Sequence, residues 1–243
     1  MSILIHQPAG VAMRLDEGAS DPNRWPSASL LGRLTSKSRQ KLLTTGVRRK
    51  FTGGEVLISQ GDSGTFSLLL MSGSSKVTTV DEAGEESLLG IRVAGDLVGE
   101  TAALQEVPRT ATVTACSDVV ARQLTRAEFA AFLATHSDAA MELTNMILSR
   151  LHWANQRRAD FSKSALVRLS RVLVELAATY GSDTREGRTL GVPLTQSELG
   201  SLAGLKLPTV EKNLGLLEKQ EIVQRRYRQV VVVDMDRLQG IST

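Results

Sequence analysis

The chain carries one cysteine, Cys116, so it cannot close an internal disulfide or assemble the thiolates of a metal cluster by itself. That thiol reads either as a small buried hydrophobe in a strand or as a redox-active group. Histidine is also scarce. His6, His136 and His152 are scattered and lie near no Cys/His/Asp/Glu cluster at ligand spacing, which sets zinc chemistry aside. No run approaches the roughly 18 apolar residues of a membrane span. Met1 to Arg14 lacks a basic stretch followed by an apolar core and a cleavage site, so a cytoplasmic protein with no membrane partner is expected. Also missing are a nucleophile with a positioned base, paired carboxylates at catalytic spacing and a Walker-type glycine loop. A binding protein is expected rather than an enzyme.

What is present is unevenly distributed. Net charge is +3, yet Met1 to Ser162 holds 17 Lys and Arg against 17 Asp and Glu, whereas Lys163 to Thr243 holds 12 against 9. The basic surplus sits in the last third, where it points to a polyanion. At 243 residues the chain allows two modest domains. Residues 1–27, with Pro8, Gly10, Gly18, Pro22 and Pro26, read as a flexible tail. From Lys50 to Leu124 short β-rich runs alternate with Gly61, Gly64, Gly73, Gly84 and Gly95, which predicts an antiparallel sandwich or barrel. The period then changes. No glycine or proline falls between Arg126 and Phe161, and Ile147, Leu151, Ala154, Arg158 and Phe161 recur at steps of four and three. That spacing predicts a helix with a coiled-coil-like seam, for dimerisation or for burial in its own domain.

A second periodic helix, Ala165 to Ala178, closes at Gly181, and Gly187, Gly191 and Pro193 mark a loop or small hairpin. Thr195-Gln196-Ser197-Glu198 then forms a capping box, and Gly204 follows Leu202 and Ala203 where a tight turn between helices needs positive φ. A further helix opens near Pro208 and carries Thr209, Val210, Leu214, Leu216 and Leu217. This is helix-turn-helix spacing, which places Lys206, Thr209, Glu211, Lys212 and Asn213 outside, although an αα-hairpin shares part of it. Downstream, Arg225, Arg226 and Arg228 lie at the tip of an expected β-hairpin. They would lie beside a phosphate backbone or protect a strand edge.

This order of elements resembles the CRP/FNR family (cyclic-AMP-receptor-like) from about Leu30 to Leu238. The most specific stretch is Gly95-Asp96-Leu97-Val98-Gly99-Glu100 followed by Pro108-Arg109-Thr110-Ala111, which is similar to the family's phosphate-binding cassette. The resemblance implies an α+β chain. A cyclic-nucleotide-binding-type β-roll, a double-stranded jelly-roll barrel, would occupy 28–136, a dimerisation helix 137–162 and a winged helix-turn-helix 163–243. It implies a homodimer on a pseudo-palindromic double-stranded DNA operator, contact with RNA polymerase, and an effector such as cAMP, cGMP or a cyclic dinucleotide.

In the implied ligand site, Gly99 admits backbone N–H groups to the anion, and Glu100 and Thr101 open the cassette helix. Arg109 and Thr110 contact a cyclic phosphate, and Asn155 reads the base. An Arg109–Glu100 salt bridge is the competing reading. Ala154 and Asn155 stand where cyclic-AMP-binding members place adjacent Thr and Ser, while neighbouring Trp153 would stack on a ligand or pack at a domain interface. The implied DNA contacts are Thr195, Gln196, Lys206, Pro208, Thr209, Lys212, Asn213 and the three arginines. Leu207 replaces a base-reading arginine, and Asn213 is a candidate adenine reader. The lone cysteine excludes the iron–sulfur sensing of the oxygen-responsive branch. Two other readings stay open: a regulator with a vestigial pocket, and a cyclic-nucleotide-binding interaction module without DNA recognition.

Overall fold

A computed structural model describes residues 25–243. The tail expected over 1–27 lies, up to residue 24, outside the described residues. Its last part belongs to the fold, because Trp25 is buried in an apolar cluster with Leu30, Leu31 and Phe129. Two short helices, α1 (Leu30–Arg33) and α2 (Ser36–Thr44), precede eight strands: β1 (Val47–Phe51), β2 (Val56–Ile58), β3 (Ser67–Ser72), β4 (Ser74–Val80), β5 (Glu86–Val93), β6 (Leu97–Val98), β7 (Thr112–Ala115) and β8 (Val119–Leu124). They pair antiparallel in two four-stranded sheets, ordered β1-β8-β3-β6 and β2-β7-β4-β5, the two faces of a β-roll. Strand β3 shows how the roll is sandwiched. Leu68 and Leu70 point into the barrel core with Ile58 and Val98, while Leu69 points out to Leu97, Phe129 and Met146.

The helical stretch after the roll is two helices. Helix α4 (Arg126–Thr135) opens with a Thr125/Glu128 capping box, and α5 runs Ser137–Ala159. The break falls at His136, whose backbone leaves the helical region and whose ring stacks on Phe132. At the start of α5, Asp138 accepts from Thr35 Oγ1 and Ser38 Oγ, both at 2.7 Å, which ties the helix to α2. These bonds, that from Ser38 foremost, hold the Asp138 carboxyl below its usual pKa. Along α5, Ala139, Leu143 and Met146 are buried against the roll. A 3-10 turn (Asp160–Ser162) leads into α6 (Ala165–Tyr180), capped by Ser164.

The C-terminal unit continues with β9 (Asp183–Thr184), β10 (Gly187–Thr189), α7 (Gln196–Ala203), α8 (Leu207–Lys219), β11 (Val223–Arg226), β12 (Gln229–Val232) and α9 (Met235–Ile241). The small hairpin anticipated around Gly187 exists and joins the wing in one sheet, ordered β11-β12-β10-β9. This unit does not hang free of the roll. Leu88 and Ile91 of β5 enter its core beside Leu199, Leu202 and Leu173. The backbone N–H of Leu88 donates to Ser201 Oγ at 2.7 Å, and Lys76 Nζ pairs with Glu198 at 3.0 Å.

Burial works against the charged Lys76, but the hydrogen bond and charge of Glu198 outweigh it and raise its pKa. Burial likewise opposes the Glu198 carboxylate, and the bonds from Thr195 and Lys76 outweigh it and lower its pKa. A lowered carboxyl contributes above its unfolded pKa and is lost as pH falls through the folded value. A raised amine contributes below its unfolded pKa and is lost as pH rises through the folded value. The contact is therefore flat around neutrality. Lys76→Met, which leaves the capping box intact, is expected to speed amide hydrogen exchange in α7 several-fold while the roll strands keep their protection. Unchanged exchange in α7 would rule out the contact as a brace.

Candidate functional site

The cassette is built at the junction of β6 and α3 (Glu100–Gln105). Gly99 caps α3 in the left-handed region at φ 78°, and a Cβ there would sit 2.7 Å from Arg109 Nη1 and 2.8 Å from Ile58 Cδ1. Only glycine fits. Arg109 is 4 % exposed and donates to two carbonyls of its own cradle, Gly99 O at 2.9 Å and Phe66 O at 2.6 Å, with its guanidinium 4.5 Å from the centre of the Phe66 ring. Its pKa is lowered by burial.

The Arg109–Glu100 salt bridge of the competing reading is absent among the described ion pairs. Glu100 instead accepts from Arg150 of α5 at 2.9 Å, and Arg150 also reaches Asp96 at 3.4 Å and Leu97 O at 3.3 Å. Gly99, Glu100 and Arg109 are thus brought together, with Thr101 and Thr110 exposed beside them. Asn155 is exposed on α5. The cleft of about 1140 Å³ that Glu100 and Thr101 share with α5 is lined by Leu151 and Ala154, not by Asn155.

The seam residues stand clear of the chain's own core. Ile147, Leu151 and Phe161 are 40, 55 and 64 % exposed, Leu148 beside them is 54 % exposed, and Ala154 and Arg158 are exposed too. Trp153 faces the other way. It packs against the C-terminal core under the Arg157 guanidinium, 4.4 Å from its ring centre.

In the C-terminal unit the capping box is complete: Thr195 Oγ1 accepts from Glu198 N at 3.2 Å, and Glu198 accepts from Thr195 N at 2.8 Å. Gly204, at φ 63°, makes the turn, and Lys206 caps α8 with Pro208 in its first turn. Lys206, Leu207, Pro208, Glu211 and Lys212 are exposed, and Thr209 is partly so. Asn213 corrects the expectation of an outward adenine reader. It is 7 % exposed, and its amide donates to Thr209 O at 2.7 Å. Gln196 keeps its Oε1 buried without a hydrogen-bond partner among the described residues.

At the wing, Arg225 pairs with Glu218 at 2.5 Å and Arg226 with Glu186, while Arg228, at φ 52°, turns the tip beside exposed Tyr227. Cys116 lies just past β7 with its thiol pKa pushed up to about 11, first by burial and then by the charge of Glu198, which keeps it protonated.

Sequence reasoning missed Arg150 and Lys76. Helical phase held a signal for the first, since Leu143, Met146 and Arg150 follow each other at steps of three and four on the inner face.

Comparison with known proteins gives a consistent picture. A family model described as Cyclic nucleotide-binding domain matches residues 48–136, and one described as Crp-like helix-turn-helix domain matches 167–241. The chain is 28 % identical over 191 residues to a CRP-like cAMP-activated global transcriptional regulator of Mycobacterium tuberculosis, covering 77 % of this chain and 84 % of the relative. It is 24 % identical over 185 residues to the cAMP-activated global transcriptional regulator CRP of Escherichia coli, covering 75 % and 88 %. Among solved structures, FixK2 from Bradyrhizobium japonicum superposes with a TM-score of 0.70 at 18 % identity, over 82 % of this chain and 98 % of that one. The c-di-GMP responsive regulator CLP of Xanthomonas campestris superposes with a TM-score of 0.66 at 18 % identity, over 82 % and 99 %.

The Arg150 cluster has a direct consequence for stability. The side chains of Asp96 and Glu100 are only 8 and 12 % exposed, so removing their cation leaves two poorly solvated carboxylates. Arg150→Met is expected to cost about 3 kcal/mol, at the low end for a broken buried pair because Arg150 itself keeps some water. Denaturant midpoints measure it, and an unshifted midpoint would contradict the clamp.

Proposed function

Because the chain belongs to the CRP/FNR family of transcription regulators, we propose that it acts in the cytoplasm as a homodimer on a pseudo-palindromic DNA operator, with an effector in the roll biasing the arrangement of its two helix-turn-helix units. One observation carries the dimer: the uncovered apolar stripe of Ile147, Leu148 and Leu151 on a 23-residue helix whose opposite face is already buried, continued by Phe161 on the 3-10 turn that follows it. Each such side chain, once covered, contributes roughly 1.5–3 kcal/mol. Two copies of α8 would then reach successive major grooves about 34 Å apart.

Lys206, Thr209 and Lys212 supply the contacts nearest the bases, and Leu207 removes one guanine-reading position, so the operator departs from the usual half-site of the family. The wing arginines reach phosphate by exchanging their carboxylate partners. Such exposed pairs contribute little, which makes the exchange inexpensive. Engagement of RNA polymerase is expected of a regulator of this kind.

The effector class follows the cassette, and a cyclic nucleotide is the first candidate, in keeping with the cAMP-activated relatives. A specific observation favours a second reading, that of an effector-independent regulator. Arg109 spends both guanidinium arms on Gly99 O and Phe66 O, so a phosphate must displace a carbonyl to be bound.

Leu151→Arg separates assembly from folding, since the residue touches solvent. The variant is expected to sediment as a monomer with intact secondary structure. It should lose on the order of a hundredfold or more in affinity for a two-half-site duplex, the gain that pairing two modules provides. A dimer with undiminished operator affinity would overturn the proposal.

A further inference from the structure

Between the glycine of the helical turn and the buried face of α8 the chain leaves the core for three residues. Leu205 still packs against the C-terminal core, and its N–H donates to Gly200 O at 2.8 Å, which closes the turn. Lys206, Leu207 and Pro208 are then exposed, and the core resumes at the fully buried Val210. Leu207 is 43 % exposed and lies outside the described apolar residues of that core. A leucine left in water at the first position of a 13-residue helix contributes little to folding, since its stabilising effect comes from burial.

The neighbours of Leu207 give it a setting. Lys206 makes no side-chain hydrogen bond to the helix it caps, and neither Lys206 nor Lys212 has an ion pair among the described residues. Pro208, at the second helical position, has its φ fixed and no N–H to satisfy. The start of α8 is thus an apolar tip, Leu207 with Pro208, between two cations free to meet an anion. Such a tip complements a duplex, whose phosphates line the rims of the major groove while base edges form its floor. A recognition helix enters that groove with its N-terminal residues against the bases. Glu211, exposed beside Lys212, is an acceptor and suits the amino group of a cytosine.

Each base edge in the major groove is a pattern of donors and acceptors, and the apolar group among them is the C5-methyl of thymine. Leucine has neither donor nor acceptor. Against guanine, adenine or cytosine it covers polar atoms and leaves them without partners, which costs affinity, whereas against thymine it buries a methyl group and gains. Pro208 adds apolar contact area that is rigid before binding, so little freedom is lost.

Resting on the DNA-binding reading above, we propose that Leu207 is a specificity-determining residue that selects a thymine in each half-site through its C5-methyl group, with Pro208 as the second wall of the contact. The position that lacks a guanine reader thereby gains a thymine reader. A cytosine methylated at C5 presents the same group there.

The test enriches bound sites from a pool of random-sequence duplexes with the full chain, then resynthesises the enriched duplex with base analogues. One position of each half-site should be thymine. Uracil in its place lacks only the methyl group, and should weaken binding about fourfold when one half-site is changed and on the order of fifteenfold when both are. Cytosine at that position should be bound more tightly when methylated at C5. Leu207→Ala should bind the thymine and uracil duplexes alike. Leu207→Arg should replace the thymine·adenine pair by a guanine·cytosine pair among its enriched sites, the other positions staying as in the wild type. Both variants should keep the wild-type melting temperature, and the analogue arms need no variant at all. A leucine that served only the helix start would, on replacement, weaken every duplex equally. Wild-type binding indifferent to uracil, or Leu207→Arg enriching the same sites as the wild type, would overturn the thymine contact while leaving DNA binding intact. If no duplex is enriched at all, the DNA-binding reading falls, and the thymine contact with it.

Discussion

Arg150 is the residue on which the geometry of this chain turns. Asp96 closes the loop before β6 and Glu100 opens α3, so one guanidinium on α5 holds both ends of the cassette's first segment to the helix that leads out of the roll. Two carboxylates this poorly solvated would be costly without a cation, and the arginine is in turn held by Leu97 O. Once Arg150 points inward, the rotation of α5 is set. Leu143 and Met146 face the roll, Trp153 and Arg157 face the C-terminal unit, and Ile147, Leu151 and Phe161 are left outward. The cassette, the seam and the orientation of the DNA-binding unit are consequences of one helix phase.

The helix-turn-helix is coupled to the roll through groups that also build it. Glu198 caps α7 and pairs with Lys76, and Ser201, one turn on, accepts from Leu88 N through its hydroxyl and from Arg157 through its carbonyl. Local folding and domain docking therefore share atoms, so a change in the roll cannot leave α7 untouched. Contacts of this size, a few hydrogen bonds and two apolar side chains from β5, suit a joint that is stable yet reversible, as a population shift requires.

Much of this was legible in the sequence. Strands bounded by glycines, two capping boxes and the glycine of the helical turn are local signals, and each appears where backbone chemistry demands it. The errors are equally instructive. Polarity alone places Asn213 outward, but Val210, Asn213, Leu214 and Leu217 form one i, i+3, i+4, i+7 face, and phase decides the outcome. No glycine or proline marks the break at His136, yet α5 starts at Ser137, where the resemblance puts the start of the dimerisation helix, and α4 and α5 both pack into the apolar cluster on the outside of the roll. Arg150 with Glu100, and Lys76 with Glu198, stand 50 and 122 residues apart, and no local pattern encodes such pairings. The partners of Arg109 are main-chain carbonyls, which carry no sequence signature, so the sequence presents it as free for a ligand.

Distance measurement between spin labels tests the central claim most directly. With Cys116→Ser and a label introduced at Lys219 at the end of α8, double electron–electron resonance reports how the two DNA-binding units of a pair are held relative to each other. If Arg150 fixes α5 and α5 pairs two chains, the wild type bound to a two-half-site duplex gives one narrow distance population, and Arg150→Met without DNA broadens it relative to the wild type without DNA. No dipolar coupling in the wild type, or distributions that superimpose with and without Arg150, would contradict the account.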